Sequence, residues 1–147
     1  MLFRSERGLR SGTENIPAIA GFAKALDLAS AARVKEVARL NELKTFFIKG
    51  LKEIRPDIIV HSEGSTSPHI VNISIPGIDN EFLLFQLDAK GIACSTKSSC
   101  LRDADESYVL KAMGADSKSS LRFSMGRWTR KAEITRVLKA LRSLLFL

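Results

Sequence analysis

"SPHIVNISIPGIDNEFLLFQLDAKGIACSTKSSC", residues 67–100, holds the change of period that decides the fold class. Within it "HIVNISI" (69–75) alternates. Val71, Ile73 and Ile75 share one face, and Ile70, Asn72 and Ser74 share the other, which is the two-residue period of a half-buried strand. Pro76-Gly77 turns the chain. "DNEFLLFQLDAKG" (79–91) then reads as a helix whose end signal is Gly91. Ile92 to Ser95 reads as another short strand, and 96–105 as a loop.

The pattern extends in both directions. The first dozen residues, "MLFRSERGLRSG", show neither a helical nor a strand period and read as a loop. Thr13 or Asn15 caps a helix, with Pro17 in its first turn and Ile19, Phe22, Ala23, Leu26 and Ala29 on one stripe. A second helix is predicted from about Arg33 to Ile54, with Val37, Leu43, Phe47, Leu51 and Ile54 inward and Lys35, Lys44, Lys49 and Lys52 on a solvated face. Arg55-Pro56-Asp57 stops it. Ile58-Ile59-Val60 is a short strand. Downstream, "ESYVLKAM" is a short helix stopped at Gly114. "SLRFSMG" (120–126) is a strand with Leu121, Phe123 and Met125 on its inner face, and Thr129 caps a last helix with Ile134, Val137, Leu138, Leu141 and Leu145 inward. The order α-α-β-β-α-β-α-β-α implies an α+β domain of two layers, a short and mostly antiparallel sheet covered by helices.

Bulk properties narrow the function classes. The chain has 147 residues, enough for one domain with a real core, and its 45% hydrophobic and 27% charged content is that of a globular protein. The net charge of +7 is spread along the sequence. Without a basic stripe interleaved with aromatics, nucleic acid is not expected as a partner. No run approaches the roughly 18 apolar residues of a membrane span, so no membrane association is expected. The start lacks the apolar core of a signal peptide, and with two cysteines this points to a reducing, cytoplasmic setting.

Two cysteines invite chemistry. Cys94 sits in an apolar run and reads as a small core residue. Cys100 follows Ser98 and Ser99 in a polar loop, with Lys97 and Arg102 near it. Such cations favour the thiolate, the reactive form. A Cys94–Cys100 disulfide, a metal ligand or an inert thiol are the other readings. No CxxC or HxxxH spacing supports a metal, and His61 and His69 read as structural or surface residues. Arg122 shares the outer face of its strand with Ser124, either as an ordinary exposed arginine or as a two-pronged donor to a carboxylate. In "ERGLRSGT", Gly12 permits close backbone approach. Thr13, Arg7 and Arg10 stand at a helix start, where free N–H groups favour an anion. Simple capping by Thr13 is the plainer reading.

Taken together these pieces resemble the cysteine desulfurases of the NifS/IscS type, pyridoxal-phosphate enzymes of the class V aminotransferase group. "ERGLRSGTENIPAIAGFAKAL" is similar to the stretch joining their large and small domains. "SPHIVNISIPGIDNEFLLFQLDAKGIACSTKSSC" resembles the run leading to their active-site cysteine, and "SYVLKAMG", "SLRFSMGRWT" and the final helix follow in the same order. The resemblance covers Glu6 to about Leu145. It implies that Cys100 attacks the substrate sulfur and carries it as a persulfide, that Arg122 binds the substrate α-carboxylate, and that Thr13 reaches the phosphate of the cofactor in the partner subunit of a dimer. It gives Cys94 no role.

The resemblance also sets limits. Relatives carry glycine where Lys97 stands. The lysine that anchors pyridoxal phosphate, and the residues around its ring, belong to a large domain that no stretch here resembles. Residues 1–14 are therefore expected to be an inter-domain remnant and 15–147 the small C-terminal domain, with little activity for the chain alone. The implied partners are L-cysteine, a large domain or homodimer partner, and a sulfur acceptor such as an Fe–S scaffold or a thiolation system. A non-catalytic sulfur relay, or a related class V enzyme such as a selenocysteine lyase, is the alternative.

Overall fold

A computed structural model describes residues 4–5, 10–96, 107–115 and 120–146. Cys100, Lys97, Arg102 and Arg7 lie outside the described residues. The chain divides into two compact units, residues 1–35 and 36–147.

In the first unit, two-residue strands β1 (Arg4–Ser5) and β2 (Arg10–Ser11) pair antiparallel, where the sequence suggested only a loop. A helix of 39 residues, α1 (Ile16–Ile54), begins in this unit and ends in the second. The two helices expected over this range are therefore one. The junction, Ala29-Ser30-Ala31-Ala32-Arg33, contains no glycine or proline, and its alanines and arginine are strong helix formers, so nothing there breaks the hydrogen-bond ladder. Asn15, not Thr13, takes the cap: its Oδ1 accepts the Ala18 N–H at 3.1 Å. The predicted stripe forms, but Ile19, Phe22 and Leu26 are all more than half exposed.

The second unit is an α+β layer structure. Strands β3 (Ile59–Val60), β4 (Ile70–Ser74) and β5 (Ser120–Ser124) form an antiparallel sheet in that order. Their register sets Asn72 opposite Arg122 and Val71 opposite Phe123. Helices α2 (Asn80–Ala89), α3 (Tyr108–Ala112) and α4 (Lys131–Leu145) complete it. The strand expected over 92–95 shrinks to a single bridge, Ser95 to Arg122. The alternating faces came out as the pattern implied. Val71, Ile73, Ile75, Leu121, Phe123 and Met125 are buried with Phe47 and Leu51 of α1, Leu83 and Leu87 of α2, and Ile134 and Leu141 of α4.

Local chemistry explains the ends. Asp79 caps α2 by accepting the Phe82 N–H at 3.0 Å. At its other end Gly91 adopts φ 69°, letting its own N–H reach Asp88 O and that of Ile92 reach Leu87 O. Gly114 does the same for α3. Thr129 does not cap α4. Its Oγ1 accepts the Gly126 N–H at 2.9 Å and closes the turn after β5, while Glu133 accepts the Arg130 N–H at 2.8 Å at the helix start. Arg39 of α1 locks the same turn, donating to Thr129 O (2.6 Å), Gly126 O (3.0 Å) and Arg127 O (3.3 Å).

One lysine departs from the solvated face assigned to it. Lys44 is 6% exposed, on the same turn-by-turn stripe as Leu40, Leu43, Phe47 and Leu51. Its ammonium donates to Thr66 Oγ1 (2.6 Å) and Ser67 O (3.2 Å), and burial lowers its pKa.

Candidate functional site

The polar face of the sheet forms the wall of a cavity of about 290 Å³. Arg122 and Asn72, paired across β4 and β5, line it together. Its sides come from His61, Ser62 and Thr66 after β3, from Thr96, and from Ser107, Tyr108, Leu110 and Met113 around α3. Anionic and amphipathic ligands both suit this combination of one guanidinium, several hydroxyls and an apolar wall.

Arg122 is held tightly through its backbone. Its N–H donates to Ser95 O at 2.7 Å and its carbonyl accepts from Ser95 N at 3.0 Å. Alternation placed its side chain away from the core correctly, but the face is not open solvent. Arg122 is half-buried, and its Nε is buried without a hydrogen-bond partner among the described residues. A donor left in that condition costs about 1–3 kcal/mol, so it is a feature that calls for a ligand or a partner.

Asn72 is fixed from the other side. Its carbonyl accepts from His61 N at 2.9 Å, and its N–H donates to the hydroxyl of buried Ser62 at 3.0 Å. Thr66 Oγ1 in turn donates to Ser62 O at 2.7 Å and accepts from Lys44. A relay of hydrogen bonds therefore runs from α1 to the cavity wall: Lys44, Thr66, Ser62, Asn72. His61 Nε2 lies 2.7 Å from Ser74 Oγ and His69 Nδ1 2.8 Å from Ser67 Oγ, in keeping with structural roles.

Of the residues singled out from sequence, Arg122 stands in this wall. Cys94 lies on the core side, half-buried against the hydrophobic cluster, and burial with nearby Asp88 pushes its thiol up to about 11. Thr13 is exposed in the first unit, next to Gly12 with φ 98° and three residues before α1 begins. Sequence reasoning missed Asn72, Ser62 and Lys44. The signal for Asn72 was present, a carboxamide in the middle of "IVNISI", but only the strand register brings it to Arg122.

The aminotransferase class-V family matches residues 3–137, which is most of the chain.

The chain belongs to the aminotransferase class-V family.

Similar proteins agree with this class-V assignment. The chain is 36% identical over 141 residues to a cysteine desulfurase of Sinorhizobium fredii strain NBRC 101917 / NGR234, covering 92% of this chain and 36% of the relative. It is 37% identical over 142 residues to cysteine desulfurase IscS of Proteus mirabilis strain HI4320, covering 94% and 35%. A solved NifS-like protein superposes with a TM-score of 0.80 at 28% identity, over 97% of this chain and 37% of that one. This class-V chain thus spans little more than a third of the length of the curated relatives it matches. No helix among the described residues is long and apolar enough to cross a membrane.

Proposed function

We propose that the chain is the small-domain portion of a cysteine desulfurase that converts L-cysteine to L-alanine and leaves the sulfur on Cys100. The observation that carries this reading is Arg122, locked by its backbone, half-buried in a cavity wall, with a buried N–H that the described residues leave unused. A substrate carboxylate is the ligand such a guanidinium is set up for, and its two Nη groups offer a two-pronged bond and orientation.

Arg122 fixes the carboxylate end, so the substrate sulfur can be presented to Cys100. The Cys100 thiolate attacks that sulfur. An S–S bond forms, the substrate C–S bond breaks, its electron pair is taken up on the carbon side, and a proton at that carbon completes alanine. Pyridoxal phosphate supplies the electron sink for this cleavage when bound. The residues present fit its phosphate end: Thr13 offers a hydroxyl, Gly12 a backbone that a side chain does not shield, and the start of α1 a favourable dipole. The anchoring lysine belongs to the large domain in this reading. Residues 1–14 are then the inter-domain segment and 15–147 the small domain, with Thr13 serving the partner subunit of a dimer and the persulfide passing to an Fe–S or thiolation acceptor.

The test is reconstitution. The chain alone is expected to be colourless and inactive. Mixed with a separately produced large domain of a related cysteine desulfurase and pyridoxal phosphate, it should restore yellow absorbance and release sulfide from L-cysteine. Cys100→Ser should abolish persulfide on the chain while the colour remains, and Arg122→Met should raise KM. A restored complex in which both variants retain wild-type sulfide release would overturn the proposal.

A further inference from the structure

Across β4 and β5, Asn72 and Arg122 are direct partners. The backbone groups of Asn72 point to the β3 side, at His61 and Ser62, while those of Arg122 point to Ser95. No backbone hydrogen bond joins the two, so they form the narrow kind of antiparallel pair, with Cα atoms about 4.5 Å apart and side chains in mutual reach. Both side chains line the same cavity.

Each also has one buried side-chain atom without a partner among the described residues: Oδ1 of Asn72 and Nε of Arg122. The first accepts hydrogen bonds and the second donates them. Two complementary groups, adjacent and unsatisfied, mark a contact that is poised rather than made.

Building on the carboxylate reading of Arg122, we propose that Asn72 is its positioning residue. When a carboxylate enters, Asn72 Oδ1 accepts the Arg122 Nε–H. The guanidinium is then held with its two Nη groups toward the ligand, so the carboxylate is gripped end-on rather than along the Nε edge. Asn72 suits this role because its backbone carbonyl and N–H are both held, by His61 and Ser62. The hydrogen-bond relay from Lys44 therefore bears on the aim of Arg122 through Asn72.

The experiment is a titration of the full chain with L-alanine, an unreactive carrier of the same carboxylate, followed by the arginine Nε–H signals in nitrogen-15 NMR. Arg122→Met assigns the signal. In the wild type, L-alanine should slow solvent exchange of the Arg122 Nε–H. In Asn72→Leu the signal should stay fast-exchanging and L-alanine should bind about tenfold more weakly, the loss expected for one hydrogen bond to a charged group. In Asn72→Asp the protection should persist while affinity falls, because the new carboxylate holds Nε but repels the ligand. A purely structural asparagine would not separate these two readouts. Backbone amide dispersion checks folding, and Asn72→Ser, which is too short to reach, replaces the leucine variant if that one does not fold. Wild-type protection and affinity in the leucine or serine variant would overturn the role of Asn72 alone. No L-alanine binding even by the wild type would overturn the carboxylate reading and this inference with it.

Discussion

Phe47 of α1 meets Phe123 of β5 edge to face, with ring centroids 5.2 Å apart and planes at 80°. Both are at most 5% exposed. The residue before Phe123 is Arg122, on the opposite face of the same strand, so the core contact and the cavity contact share one backbone. The aromatic pair fixes the strand from below while Ser95 and β4 fix it at its edges.

Phe123→Ala should therefore cost roughly 3–5 kcal/mol in urea unfolding, the usual range for emptying an aromatic site in a core. Phe47→Ala should be similar, and the double variant should reveal a coupling of about 0.5–1.5 kcal/mol. Arg122→Met, which keeps the stem and removes a buried Nε donor that has no partner among the described residues, should leave stability unchanged or raise it by up to about 1–3 kcal/mol. A large loss for Arg122→Met with little for Phe123→Ala would mean that the two faces are assigned the wrong way round.

Lys44 links stability to pH in a direction that burial sets. Its pKa is lowered in the folded chain, so between that lowered value and the ordinary 10.5 the unfolded chain binds the extra proton. Stability attributable to Lys44 thus rises as pH rises toward 10.5 and falls as pH drops through the folded value. Lys44→Met should lack this rise relative to wild type in unfolding curves taken from neutral pH upward. Its loop amides at 62–67 should also exchange faster with deuterium, since Thr66 and Ser67 lose their donor. Parallel pH curves for the two proteins would refute the assignment.

Cys94 shifts the opposite way. Burial holds its thiol up to about 11 against an ordinary 9.0, so the folded chain keeps the proton that the unfolded chain loses. Its contribution to stability is intact below pH 9.0 and lost as pH climbs to about 11, and Cys94→Ala should flatten that part of the curve. At neutral pH Cys94 should alkylate slowly. Cys100, with Lys97 and Arg102 beside it in sequence, should react faster. Mass spectrometry after brief iodoacetamide exposure decides this, with equal or faster labelling at Cys94 as the contrary result.

Arg39 holds the turn after β5 through three carbonyls and is itself held by Glu36, 2.5 Å away. The geometry needs a fork, so Arg39→Lys should behave like Arg39→Ala. Both should speed hydrogen exchange at Gly126 and Thr129 while leaving the β4 amides unchanged. Wild-type exchange in the lysine variant would show that charge alone suffices.

Local chemistry was legible in the sequence. The alternation of "HIVNISI" and "SLRFSMG" determined the buried faces, because a two-residue period leaves each strand only one way to turn inward. Gly91 marked the end of α2, because a left-handed residue just past the last turn is a local signal that glycine supplies. The ordered motifs carried the family resemblance. Tertiary structure decided the rest. It showed one helix in place of two expected ones, because the exposed stretch from Ala29 to Arg33 holds no breaker. It buried Lys44, because helical phase overrode charge once Thr66 and Ser67 offered acceptors. It reduced 92–95 to a bridge and selected Asn15 over Thr13 as the cap of α1. Above all it set Asn72 against Arg122. Strand register depends on contacts between segments 50 residues apart in sequence, and no local propensity encodes that pairing.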